Sequence, residues 1–166
     1  EQELDYEAVL AGFANVQSPG RCEVLHRDPT IIIDAAHNPH GAKALVETIT
    51  NEFTFDEVIG VFAAMADKDV AGGLHELEKV IDSIIVTRNS SSRSMEVEAL
   101  EKIAQSIFGA ERVFSTPSLE EALEKAIKDS ARPLSEDSLG ILVTGSVVTV
   151  GEARTLIRRK FRKEDD

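Results

Sequence analysis

Residues 30–39 read TIIIDAAHNP, an apolar run that gives way at once to an Asp, a His, an Asn and a Pro. The three isoleucines predict a buried strand, and the amphipathic spacing of residues 39–52 predicts the helix that follows it. Asn38 is a good N-cap, and Pro39 suits the first helical turn because its missing N–H would be unpaired there anyway. A strand that leads straight into a helix is the repeating unit of α/β proteins.

The rest of the chain alternates in the same way between short apolar strands and amphipathic helices. This alternation predicts an α/β fold, a Rossmann-like and mostly parallel sheet with helices on both faces. The apolar runs at 22–27 and 30–34 are joined only by Asp28 and Pro29, which is too short for a crossover, so we expect one antiparallel edge strand. Further strands are predicted at 58–63, 83–87, 112–114 and 139–144, and further helices at 4–14, 70–79, 95–108, 118–128 and 149–160.

Size, charge and cysteine content exclude several classes of protein. The 166 residues weigh 18.1 kDa and are 42% hydrophobic, which is enough for a buried core. The net charge of −12 argues against nucleic acid and against an anionic membrane as partners. Cys22 is the single cysteine, which indicates a reducing compartment, and we expect the cytoplasm. The histidines and the cysteine show no metal-ligand spacing, so no metal site is expected, and no apolar face demands a second subunit, so we expect a monomer.

Polar segments follow the carboxyl ends of the predicted strands, where parallel sheets capture ligands. One edge should therefore gather the segments 34–38, 65–69, 88–94, 115–116 and 145–146. The chain contains neither G-x-G-x-x-G after its first strand nor G-x-x-x-x-G-K-[ST], so it lacks the usual means of holding a nucleotide by itself. The serine-rich segment 88–94 is expected to be mobile.

Five short motifs occur in an order that is similar to one known family. They read SPGRCE at 18–23, DAAHNPHGA at 34–42, MADKD at 65–69, TGS at 144–146 and GE at 151–152. Together they resemble the C-terminal domain of folylpolyglutamate synthase/dihydrofolate synthase, within the Mur ligase superfamily. The resemblance extends from about Val9 to Arg158. Ala35 favours the folate branch, because cell-wall ligases more often carry an aromatic residue at that position.

This resemblance implies part of an ATP-dependent, ADP-forming amide ligase. In that family a carboxylate of folate or dihydropteroate is phosphorylated to an acyl phosphate, and the amino group of L-glutamate then displaces phosphate. The implied cofactors are ATP and Mg²⁺, with the metal ligands mainly in an N-terminal ATPase domain outside this sequence. The implied organisation is residues 1–17 as the end of that domain and the hinge, 18–163 as the glutamate ligase domain, and 164–166 as a disordered tail. We expect such a fragment to be inactive alone.

The resemblance also implies roles for residues on the ATP side, each with a structural alternative. Arg21 matches the family arginine that reaches ATP phosphate, or is a surface arginine in a hinge turn. Asp34 matches the aspartate that accepts hydrogen bonds from the ribose hydroxyls, or only ties the start of the helix. His37 is the catalytic candidate, close to both the phosphates and the glutamate, or is a ring satisfied by a neighbouring carbonyl. Asn38 is assigned to ATP binding, although helix capping explains it more simply.

Three further residues are assigned to the glutamate side. Ser146 resembles the family serine near the incoming glutamate, although small residues at strand-to-helix turns also serve sterically. Lys68 is expected to pair either with a substrate carboxylate or with the acidic residues on both sides of it. Arg88 lies in a loop that could reach glutamate, without a distinctive spacing.

Two other functions stay open at this point. One is a different ligase of the same superfamily, which joins an amino acid to a cell-wall precursor. The other is a stand-alone nucleotide-binding or interaction module that has the Rossmann-like fold without a catalytic partner domain.

Overall fold

The computed structural model describes residues 20–131 and 139–162. The predicted helix at 4–14, the hinge segment 1–17 and the tail 164–166 lie outside these ranges. Within them the chain forms six strands, β1 (Glu23–Arg27), β2 (Thr30–Ile33), β3 (Glu57–Phe62), β4 (Ser83–Val86), β5 (Val113–Ser115) and β6 (Leu139–Thr144). The helices are α1 (Pro39–Glu52), α2 (Val70–Leu77), α3 (Val97–Phe108), α4 (Leu119–Ser130) and α5 (Val147–Phe161).

The six strands form one sheet in the order β1-β2-β6-β3-β4-β5. Every neighbouring pair is parallel except β1 and β2, which are antiparallel, so the predicted mostly parallel sheet with one antiparallel edge is confirmed. The last strand, β6, lies in the middle, with Ile141 aligned between Ile31 of β2 and Ile59 of β3. This insertion brings the loops after β2, β3 and β6 side by side.

Helices cover both faces of the sheet, as the apolar strands predicted. Along β2, Ile32 packs into a core with α1, α2 and α3, whereas Ile31 and Ile33 pack into a second core with α4 and α5. Successive side chains of a strand point to opposite faces, so a strand covered on both faces reads as a continuous apolar run. No helix in the described ranges is both long enough and apolar enough to cross a bilayer.

Two helix starts differ from the prediction because of tertiary contacts. We predicted α3 from residue 95, but Met95 donates its N–H to Ala64 O, and an antiparallel bridge joins Met65 and Ser94, so the helix begins at Val97. We predicted α5 from residue 149, but Ser146 accepts a hydrogen bond from the Thr149 N–H and caps a helix that begins two residues earlier. α1 has its predicted bounds, with Asn38 Oδ1 accepting from the Gly41 N–H at 2.8 Å.

Gly145 sits in the turn between β6 and α5, where backbone segments approach closely. Its φ of +114° is rarely adopted by residues with a side chain, and an added Cβ would lie 2.5 Å from Ala63 O. Its N–H donates to Ala36 O at 3.2 Å. The turn therefore packs directly on the ends of β2 and β3.

We expect Gly145→Ala to lower the free energy of unfolding of this chain by about 2 kcal/mol or more, because it adds a strained φ and a backbone clash. Urea denaturation gives the measurement. Gly151→Ala is the matched control, since Gly151 lies in α5 with nothing within 4 Å of its added Cβ, and it should be neutral or stabilising. Equal denaturation midpoints for the two variants would contradict the close-approach argument.

Candidate functional site

The polar segments predicted to share one edge of the sheet do so. Beyond the Gly145–Ala36 bond, Ala66 donates its N–H to Arg93 O, and Thr87 Oγ1 donates to Thr116 O at 3.0 Å. These bonds join the loops that follow β3, β4 and β5. The carboxyl edge of the sheet is therefore one connected surface of loops.

A cleft of about 460 Å³ opens at this edge beside the end of β2. The helices that follow the neighbouring strands β2 and β6 lie on opposite faces of the sheet, since α1 belongs to one core and α5 to the other. Such a topological switch point is where open α/β sheets bind ligands. The polar side chains that line the cleft come from the turn before β1, from the segment that joins β2 to α1 and from α1 itself; they include Arg21, Asp34, His37, Asn38, His40 and Thr48.

Asp34 ties together two turns at the end of β2. Its Oδ2 accepts the Cys22 N–H and its Oδ1 accepts the Ala36 N–H, both at 2.8 Å. The structural role that we considered for this residue is therefore present. Because each carboxylate oxygen can accept more than one hydrogen bond, the half-buried side chain keeps acceptor capacity toward the cleft that it lines.

His37 and Asn38 also make the local bonds that we considered as alternatives. His37 Nδ1 lies 2.9 Å from Ala35 O, and because a carbonyl only accepts, the ring donates from Nδ1. In the neutral ring, Nε2 then carries no hydrogen and keeps its lone pair as an acceptor. The side chain is exposed and lines the cleft. Asn38 is the confirmed N-cap of α1. Roles of His37 and Asn38 in ligand binding stay predictions.

Lys68 and Arg88 are exposed and pair loosely with acidic neighbours. Lys68 Nζ lies 3.5 Å from Asp67 Oδ2, whereas Arg93 binds the same oxygen at 2.7 Å. The hydrogen bond from Arg93 is the main reason that the pKa of Asp67 is lowered. Lys68 lines a small pocket together with His37, which keeps it within the candidate site. Arg88 lies 3.6 Å from the carboxylate of Glu96. Their assignment to substrate stays a prediction.

Ser146 occupies a position that argues against direct contact with substrate. It is 2% exposed, and its Oγ accepts from the Thr149 N–H and from Asn89 Nδ2. Thr149 Oγ1 donates to Ala63 O, so the Ser146 hydroxyl donates to Thr149 Oγ1 at 2.8 Å. All the hydrogen-bonding capacity of the hydroxyl is used within the protein, and we do not retain Ser146 as a substrate ligand.

Asn89 is the residue of this edge that sequence reasoning missed. It is 3% exposed and donates to both Ser146 and Thr149, at 3.2 and 3.0 Å. Next to it, Ser90 donates its N–H and its hydroxyl to the carboxylate of Glu152 on α5. The segment 88–94 is therefore bonded to α5, contrary to the mobile loop that its serines predicted. The GE motif at 151–152 contains Glu152, but the sequence alone did not indicate that this residue would bind Ser90.

Asn89→Ala should lower the free energy of unfolding by about 1–3 kcal/mol, because two buried hydroxyls lose their amide donor. Thermal or urea unfolding of this chain measures the loss. Ser92→Ala is the control, since Ser92 is exposed in the same loop and should change stability by less than about 0.5 kcal/mol. Indistinguishable stabilities would show that the buried network is not a support of the loop.

Cys22 lies in the turn that carries Arg21, next to the carboxylate of Asp34, and its thiol is expected to react slowly at neutral pH. Burial, followed by the charges of Asp34 and Glu52, raises the pKa of its thiol from 9.0 to about 11. Only the thiolate reacts with alkylating agents, so a raised pKa protects the residue at neutral pH.

We expect alkylation of folded Cys22 by iodoacetamide at pH 8 to be about 100-fold slower than that of the unfolded chain, because two pKa units reduce the thiolate fraction by that factor. Folding stability should be unaffected below pH 9 and should fall as the pH rises from 9 to 11, since the unfolded thiol ionises first. Cys22→Ser should lack this part of the decline. Equal alkylation rates in folded and unfolded chain would contradict the raised pKa.

A family model described as "Mur ligase, glutamate ligase domain" matches residues 20–147. The chain therefore belongs to the glutamate ligase domain family of the Mur ligases, and the resemblance read from the five motifs is confirmed.

Its relatives include proteins of the folate branch. The dihydrofolate synthase/folylpolyglutamate synthase of Mycobacterium tuberculosis is 47% identical over 167 residues, which cover 96% of this chain and 34% of that protein. The Escherichia coli protein of the same description is 30% identical and covers 93% of this chain and 34% of its own length. This chain thus spans about a third of the length of these two relatives.

Solved structures show the same fold. The M. tuberculosis folylpolyglutamate synthase complexed with ADP and AMPPCP matches with a TM-score of 0.88 and 48% identity, covering 93% of this chain and 36% of that one. E. coli FolC in complex with DHPP and ADP matches with a TM-score of 0.82 and 27% identity, covering 96% and 36%.

Proposed function

We propose that this chain is the C-terminal domain of an ATP-dependent folylpolyglutamate synthase/dihydrofolate synthase, which joins L-glutamate to folate or dihydropteroate through an acyl phosphate. The observation that carries the proposal is that Arg21 and Asp34 line the same cleft at the switch point. The relatives support it through their descriptions, and the similar M. tuberculosis structure was obtained with ADP and AMPPCP. An N-terminal ATPase domain would supply the other half of the site.

Each residue of the cleft has a task that its geometry allows. The exposed guanidinium of Arg21 can hold phosphate oxygens in a bidentate manner and offset the charge that develops during phosphoryl transfer. Asp34 can accept hydrogen bonds from ribose hydroxyls with the acceptor capacity left by its two backbone bonds. His37 Nε2 can accept a hydrogen bond from an ammonium group in the neutral ring, or donate one to a phosphate oxygen in the protonated ring, and Asn38 can offer its amide N–H groups.

The glutamate side is the less defined half of the proposal. Lys68 is proposed to meet a substrate carboxylate, which its position beside His37 in a small pocket supports, and Arg88 would have to leave Glu96 to do so. Bringing the amino group of glutamate against an acyl phosphate is mainly a matter of position, which is the contribution expected of a closing domain.

Magnesium belongs to the proposal only through the complete enzyme. Among the described residues, no group of three His, Cys, Asp or Glu side chains could hold a metal ion. We assign the ligands of Mg²⁺ to ATP and to the ATPase domain, as the family resemblance implies. The expected domain boundaries, cytoplasmic location and monomeric state stay predictions.

In the full-length gene product, Arg21→Ala and Asp34→Ala should each lower glutamate-dependent ADP release at least tenfold, or about 1.4 kcal/mol of transition-state stabilisation. The assay compares dihydropteroate with tetrahydrofolate as acceptor. Arg27→Ala is the matched control, since this exposed arginine lies at the opposite end of β1. Wild-type rates in both cleft variants would overturn the proposed site.

Two further measurements complete this test. Asp34→Ala also removes two backbone hydrogen bonds, so Asp34→Asn, which keeps one acceptor oxygen, and an unfolding curve separate lost stability from lost chemistry. Titration of the isolated chain with MgATP addresses the stand-alone alternative. Micromolar affinity that Asp34→Ala abolishes would favour an independent nucleotide-binding module.

A further inference from the structure

Arg21 is carried by a turn whose backbone is unusual on both sides of it. Gly20 has a φ of +79° and Cys22 a φ of +43°, so two left-handed residues flank the arginine. A residue with a side chain rarely adopts a positive φ unless its surroundings enforce it. The turn therefore needs external contacts to keep its shape and to hold the arginine at the cleft.

Three hydrogen bonds supply these contacts. Gly20 donates its N–H to Glu23 Oε2 at 2.8 Å and accepts the Ala35 N–H at 2.7 Å, and Cys22 donates its N–H to Asp34. The backbone groups on both sides of Arg21 are thus bonded, while its side chain is free to reach into the cleft. Two carboxylates, that of Glu23 at the start of β1 and that of Asp34 after β2, therefore hold the backbone on both sides of the arginine.

Helix α5 holds the first of these carboxylates. Arg154 binds Glu23 Oε2, the same oxygen that accepts the Gly20 N–H, and Arg158 lies 3.7 Å from Glu23 Oε1. The side chains of Glu23 and Arg154 are each 24% exposed. Gly20 also packs on α5, since an added Cβ would lie 3.0 Å from Val150 Cγ1. A continuous chain of contacts therefore runs from α5 to the backbone of Arg21.

We propose that Glu23, held by Arg154, is a positioning residue. It fixes the turn that carries Arg21, and thereby holds the Arg21 side chain where it can bind phosphate in the cleft. This proposal rests on the function proposed above. Glu23 touches no substrate; it acts by bonding the turn, and Arg154 acts by orienting Glu23. The sequence motif SPGRCE then has a physical meaning, because its last residue, Glu23, accepts a hydrogen bond from the N–H of Gly20, three positions earlier.

A simple contribution to stability is the competing explanation. Partly exposed ion pairs add little to folding, and removing one would weaken the domain without regard to Arg21. The two explanations differ in their dependence on the arginine. A residue that acts only through Arg21 has no further effect on the reaction once Arg21 is gone.

The test is a double-mutant cycle on kcat/KM for MgATP in the full-length gene product. Glu23→Ala and Arg154→Met should each lower kcat/KM about fivefold to tenfold when Arg21 is present and less than twofold in the Arg21→Ala background. Glu23→Gln keeps an oxygen for the Gly20 N–H and should retain activity within about threefold of wild type. Glu120→Ala, which removes another ion pair to α5 through Arg159, is the control and should have no effect in either background.

The outcomes separate this proposal from the one on which it rests. Equal losses from Glu23→Ala with and without Arg21 would show a structural role and overturn the positioning proposal. Full activity of Glu23→Ala beside a defective Arg21→Ala would also overturn it, while leaving the proposed function in place. Full activity of Arg21→Ala would overturn the phosphate role of Arg21 and with it the positioning proposal, and full activity of Asp34→Ala as well would overturn the proposed site. Amide exchange at Gly20 and Cys22 provides an independent readout, and it should accelerate in Glu23→Ala but not in Glu120→Ala.

Discussion

The carboxylate of Asp34 is the interaction on which the candidate site depends. It stands at the end of a buried strand and accepts one N–H from the turn before β1 and another from the turn before α1. Hydrogen bonds to an ionised acceptor are stronger than neutral ones, so a single side chain can fix both turns. The binding role and the structural role of Asp34 are therefore compatible, because the bonds that hold the backbone also orient the carboxylate toward the cleft.

The location of the cleft follows from the order of the strands. β6 is the last strand of the chain and lies between β2 and β3, and the helices after β2 and β6 go to opposite faces of the sheet. The space between these two diverging helices cannot be filled by either of them. Gly145 lets the loop after β6 approach Ala63 and bond Ala36, so this loop packs on the ends of β3 and β2. A crevice lined by polar loops is the result of that topology.

Local sequence patterns were sufficient for most of the fold. The apolar runs predicted all six strands to within about a residue, and the chemistry of Asn38 and Pro39 predicted the start of α1. The pattern failed where a distant segment competes with the local preference. The helix starts at Val97 with Glu96 as its N-cap, because the loop after β3 binds the N–H of Met95 and holds it outside the helix. The segment 88–94 looks mobile in isolation, but its Ser90 is bonded to Glu152 of a helix 62 residues away.

By itself, the sequence determined the alternation of strands and helices, the edge of the sheet that carries the polar residues, and the membership of the family, because each of these follows from short stretches in a given order. Only the tertiary structure decided which polar residues are exposed to a ligand and which are used internally. The Ser146 hydroxyl accepts a hydrogen bond from Asn89, and the Glu23 carboxylate is bound by Arg154. These partners lie 57 and 131 residues apart, and no local pattern contains a hydrogen bond between segments that meet only on folding.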